Sequence, residues 1–96
     1  MSPLNKKKLG SLRSKLDKLD HQLLRLIKKR SNLVNQVLKV KVYKKEIIDQ
    51  KRINFILKKI KNKSIQLKVD PKITNRIWKN MIWAFIDYEN RNFNKK

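Results

Sequence analysis

Apolar side chains recur along the first forty residues in alternating steps of three and four: Leu9, Leu12, Leu16, Leu19, Leu23, Leu26, then Arg30, Leu33, Val37 and Val40. A heptad seam sustained this far dictates one long helix, which the spacing predicts from about Lys6 to Tyr43. At about 1.5 Å per residue such a helix is about 55 Å long, too long to be covered by two short helices of the same chain. A second copy is the simplest cover. Geometry therefore predicts a homodimer.

Downstream, Tyr43 to Ile48 reads as a basic connector, and Asp49 as the start of a second helix with Ile53, Ile56, Leu57 and Ile60 on one face. Lys68-Val69 ends it. Asp70-Pro71 places an N-cap residue before a proline at the first helical position, the usual opening of a helix, here a third one running to about Asn92. With one Gly and two Pro in 96 residues, the chain has few breakers and the length of a single domain, residues 1–96. The expected class is all-α: three helices per subunit, one long and two shorter. The lysine-rich ends, residues 1–8 and 93–96, are expected to fray.

The absence of cysteine excludes disulfides and thiolate metal sites, and the single histidine, His21, cannot build a metal site alone. No metal and no cofactor is expected. No apolar run follows Lys6-Lys7-Lys8, and no stretch is long enough to span a bilayer, so neither a signal peptide nor a membrane partner is expected. The default expectation is a soluble cytoplasmic protein. The formal charge is +20, from 27 Lys+Arg against 7 Asp+Glu. Such a balance favours anionic partners, whether nucleic acid, membrane surface or a small acidic substrate. Lysine makes up most of it alongside many Asn and Ile, a combination that coding bias can produce. The arginines discriminate better, because an Arg at a position that ought to be apolar points to a need for its planar, bidentate fork.

Arg30 is such a residue, set in the seam between Leu26 and Leu33. A guanidinium there either reaches the surface, pairs with an acid, or waits for a ligand carboxylate, since an unpaired charge in an apolar seam is very costly. Lys41 follows eleven residues later, within roughly 20° of the same helix face at 100° per residue. Arg13 lies some 25 Å before Arg30 along the axis and cannot serve the same small ligand within one chain. In an antiparallel pair the partner subunit's Arg13 can. Taken alone, Arg13 and Lys41 are more often solvated charges. On the third helix, Trp78, Ile82, Phe85 and Glu89 fall on one stripe. Glu89 is there either a helix-end residue in water or a partly buried carboxyl, and Trp78 and Phe85 face the core, with a pocket wall as the alternative.

The run Leu12-Arg13-Ser14-Lys15-Leu16-Asp17-Lys18-Leu19-Asp20, then Leu23-Leu24 and Ile27-Lys28-Lys29-Arg30, resembles the first helix of the all-helical chorismate mutases. So does the continuation from Leu33-Val34-Asn35-Gln36-Val37 to Lys41. Ile48-Asp49-Gln50-Lys51-Arg52 resembles their connector and second-helix start, and Val69-Asp70-Pro71, Ile77-Trp78 and the run to Glu89 their third helix. The likeness covers residues 9 to 89. It implies an intertwined dimer with two identical sites, and the pericyclic rearrangement of chorismate to prephenate without cofactor or covalent intermediate. It further implies that Arg30 and the partner subunit's Arg13 each hold a substrate carboxylate, while Lys41 binds the ether oxygen that gains charge in the transition state. Arg52 completes the basic cage, Asp49 lies at the ring-hydroxyl side, and Phe85 and Glu89 line the far end.

Three positions depart from the family pattern. Ile53 stands where Glu is frequent, Phe85 where a small hydroxyl residue is common, and Glu89 where bacterial members carry Gln and fungal members Glu. A Gln amide donates a hydrogen bond at any pH, whereas Glu89 has to carry a proton to do so. Burial favours that protonated form and neighbouring cations oppose it. Two rivals follow from the same residues. Isochorismate–pyruvate lyase is a sister activity on the same fold, tolerating an apolar residue after Arg52 and bulk near Phe85. A basic helical nucleic-acid binder or coiled-coil protein accounts for the charge, but leaves Arg30 in the seam without a purpose. Nucleic acid is therefore not the expected partner.

Overall fold

The computed structural model describes residues 1–94, which form three α-helices and one short 3₁₀ turn. Helix α1 spans Pro3–Val40, the 3₁₀ turn Lys44–Glu46, α2 Gln50–Gln66 and α3 Pro71–Asn92. The all-α reading with one long and two shorter helices holds. Both ends of α1 differ from the seam's prediction. It starts at Pro3 because Ser2 is a cap: its Oγ accepts the Asn5 N–H at 3.1 Å and Pro3 occupies the first helical position. Residues 3–8, expected to fray, are therefore helical. The helix stops at Val40, with the Lys41 N–H donating to the Val37 carbonyl at 3.2 Å as the last rung.

The chain divides into two compact units, one covering Met1–Leu33 and the other beginning at Val34. The first is a single helical rod. Its seam leucines Leu12, Leu16, Leu19, Leu23 and Leu26 stay between 54% and 59% exposed, and no residue of α1 is fully buried.

In the second unit α2 and α3 pack against each other. The core is Ile47, Ile53, Ile82 and Ile86, with Ile56, Leu57 and Phe93 against it. Each element contributes by its period: Ile53, Ile56, Leu57 and Ile60 face inward on α2, and Ile82, Ile86 and Glu89 on α3. Phe93 packs on the core rather than fraying; the last two residues of that expectation lie outside the described residues. Asp49 caps α2, its Oδ1 accepting the Arg52 N–H at 3.0 Å, and Asp70 caps α3 through the Lys72 N–H at 2.9 Å. Near the α2–α3 turn the buried Ser64 hydroxyl donates to the Ile60 carbonyl at 2.6 Å and lies 2.7 Å from Thr74 Oγ1, which ties the two helices together.

The turn itself closes by a left-handed residue. Lys68 has φ 58°, and the Val69 N–H reaches back to the Ser64 carbonyl at 2.9 Å. This is the helix-end motif that glycine normally serves, since a Cβ is strained at positive φ. Lys68→Gly is expected to stabilise the fold by about 0.5–1 kcal/mol, the relieved strain exceeding the added disorder of the unfolded chain. Urea unfolding followed by circular dichroism checks it. An unchanged or lowered midpoint contradicts the strain argument.

Candidate active site

The connector after α1 shapes the site. Among the described residues it bends sharply at Tyr43, whose φ and ψ of −114° and 142° are extended, and the 3₁₀ turn then drives Ile47 into the core. Lys41 sits at the exit of α1, half-buried. Its Nζ donates to Glu89 Oε1 at 3.0 Å, with only 8% of the Glu89 side chain exposed. Of the two readings for Glu89, the buried one is observed. Its place on the inward stripe of α3 puts the carboxylate under cover, and the ammonium supplies the partner that a buried charge requires.

One residue before Glu89, the Tyr88 hydroxyl donates to Asn35 Oδ1 at 2.7 Å, linking α3 to the last turns of α1. Phe85, one turn earlier, is half-buried on the same stripe, as is Trp78, and Ile82 between them is buried. A cleft of about 480 Å³ opens beside the connector, lined by Lys41, Glu46, Ile48, Asp49, Gln50 and Lys51.

Other predicted site residues occupy definite places. Asp49 uses Oδ1 to cap α2, so this carboxylate is held rigidly at the cleft. Arg52 is exposed, and its guanidinium lies over the Phe55 ring, 5.3 Å from the centroid. Ile53 is 7% exposed in the core, which explains an apolar residue there: in this chain the position packs rather than facing solvent. In the Met1–Leu33 unit, Arg13 is exposed on α1, whereas Arg30 is half-buried with Nη1 shielded from solvent. The structure thus joins Lys41 to Glu89 and gathers Lys41 and Asp49 at one cleft. The sequence reading overlooked Glu46 and the Tyr88–Asn35 bond. Glu46 stands three residues after Tyr43, the spacing of a glutamate that reaches back to a helix start, but without the Ser or Thr that marks a capping box.

Among the described residues no helix is long and apolar enough to cross a membrane, and no group of three His, Cys, Asp or Glu is placed to hold a metal ion. Polar groups and cations are what the site offers: they can bind an anion, hold its conformation, and meet developing negative charge.

A family model described as chorismate mutase type II matches residues 12–90. The chain belongs to that family. The match runs from Leu12 to Asn90 and so includes Arg13, Arg30, Lys41, Asp49, Arg52, Phe85 and Glu89. Comparison with curated proteins and with solved structures gave no match.

Proposed function

We propose that this chorismate mutase family chain converts chorismate to prephenate in the cytoplasm, as a homodimer whose two sites each draw on both subunits. The observation that carries the activity is the Lys41 ammonium held 3.0 Å from the buried Glu89 carboxyl on the inward stripe of α3. The reaction breaks one C–O bond and forms one C–C bond within a single molecule, with no proton or electron exchanged. A protein accelerates such a step by confining the flexible substrate to its reactive conformer and by placing fixed cations where charge develops. Lys41 has three N–H donors, so it can keep Glu89 and still donate to the ether oxygen. Arg30 and the partner subunit's Arg13 hold the two carboxylates, where a guanidinium fork suits a bidentate grip. Arg52 and Asp49 serve the ring side of the pocket, with Phe85 as its wall.

The dimer rests on the bare seam. Six seam leucines of α1 more than half exposed, with Ile73 and Ile77 of α3 at 55% and 52%, are more apolar surface than a solitary chain normally leaves in water. Among the described residues only four hydrophobic side chains are buried, a small core for a chain of this length. Two long seams laid antiparallel cover one another and bring each Arg13 toward the other subunit's Arg30.

Purified protein is expected to consume chorismate and yield prephenate as the only product, identified by mass spectrometry and by acid conversion to phenylpyruvate. Pyruvate and salicylate from isochorismate, with chorismate untouched, transfers the site to the lyase reaction. Inertness toward both overturns the enzymatic assignment.

A further inference from the structure

The side chain of Glu46 has no part in the chemistry set out above, yet it occupies a singular place. The backbone ladder of α1 ends with the Lys41 N–H on Val37. The next two amides fall beyond the helix and turn toward the connector. Glu46 takes both: Oε2 accepts the Val42 N–H and Oε1 the Tyr43 N–H, each at 3.3 Å. One carboxylate therefore clamps the two peptide groups that immediately follow Lys41. The Glu46 backbone tightens the same loop, its N–H donating to the Tyr43 carbonyl at 3.0 Å. On the other side Lys41 is held through its ammonium by Glu89. Ile47, next to Glu46, is 3% exposed in the core, so the clamp is built on an anchored residue.

We propose that Glu46 is a positioning residue for Lys41: by clamping the Val42 and Tyr43 amides it fixes the backbone from which the Lys41 ammonium reaches the substrate. The proposal rests on the assignment of Lys41 to the reaction. A lysine at a frayed helix end carries many rotamers, and only a fraction of them aim at one atom; a backbone clamp raises that fraction before substrate arrives. The carboxylate is suited to the task because its two oxygens engage two adjacent donors at once, each bond strengthened by charge. Because Lys41 acts on charge that appears in the transition state, a loosened lysine lowers turnover more than it weakens binding.

The test compares wild type, Glu46→Ala, Glu46→Gln, Lys41→Ala and the Glu46→Ala/Lys41→Ala double variant. Expected is a fall of about tenfold in kcat for Glu46→Ala with KM within about threefold, and a smaller fall for Glu46→Gln, which keeps one acceptor oxygen. In the Lys41→Ala background Glu46→Ala is expected to cost nothing further, since the two act through one group. A kcat unchanged by Glu46→Ala, or losses that multiply in the double variant, overturns the proposal. A parallel loss of kcat and melting temperature that Lys41→Ala leaves undiminished marks a merely structural turn and overturns it too. The NMR resonance of the Lys41 side-chain ε-carbon gives a readout independent of catalysis. It is expected to move in Glu46→Ala, and a resonance that stays in place overturns the proposal. Wild-type protein that is inert toward chorismate overturns the mutase assignment instead, and this resonance then decides alone whether Glu46 positions Lys41.

Discussion

Mixing two inactive variants, Arg13→Ala and Arg30→Ala, is expected to restore about a quarter of the wild-type activity. Alone, each variant lacks one carboxylate-binding guanidinium in both of its sites. Removing one partner of a desolvated, hydrogen-bonded ion pair with substrate costs about 2–5 kcal/mol, so kcat/KM is expected to fall by about 30-fold or more for each. After unfolding and refolding together at equal concentration, half of the dimers are mixed. In a mixed dimer one site receives an intact Arg13 from one subunit and an intact Arg30 from the other, and the second site receives neither. One site in four is then complete. Sedimentation verifies that the species is a dimer, and the chorismate assay reads the recovered rate. Recovery to about a quarter requires that the two arginines of one site come from different subunits. No recovery, with mixed dimers present, places both arginines of a site in one chain and refutes the shared pocket.

The helical rod of Met1–Leu33 is the feature the sequence announced most clearly, because a three-four spacing repeated from Leu9 to Val40 admits only a helix with one sticky face. The caps were equally legible: Asp49 and Asp70 stand where their carboxylates take the Arg52 and Lys72 amides. The ends of α1 were harder. Ser2 carries a capping hydroxyl but no apolar period lies around it, and past Val40 the Val42 and Tyr43 amides turn to the Glu46 carboxylate, a bond set by the connector and not by the seam. At the site, the stripe of α3 left Glu89 either in water at the helix end or partly buried, and only the fold shows it buried. Its partner was not legible. Lys41 and Glu89 are 48 residues apart, and no local pattern pairs one lysine among so many with one acid. The same holds for Tyr88 and Asn35, 53 residues apart, whose bond no local pattern announces. Ile53 shows the opposite case, where position within a family pattern suggests a polar contact but the period of α2 points the side chain into the core.

Glu89→Gln is expected to give an enzyme whose rate no longer depends on a proton at position 89. In the substrate-free chain Glu89 is the acceptor of the Lys41 ammonium at 3.0 Å. To donate to the ether oxygen it must carry a proton, which a carboxylate lacks. A donor role makes kcat/KM of the wild type fall as pH rises, whereas a role as charged anchor does not. A Gln amide keeps a carbonyl oxygen for Lys41 and an NH₂ donor for the ether oxygen at every pH. The variant is therefore expected to lose the slope and to exceed the wild type at the alkaline end. A different result has a definite meaning. If the wild type is already flat and Glu89→Gln lowers the rate evenly, Glu89 works as a charged anchor for Lys41 and never as a donor. Its negative charge, rather than its proton, is then what the buried position on α3 preserves.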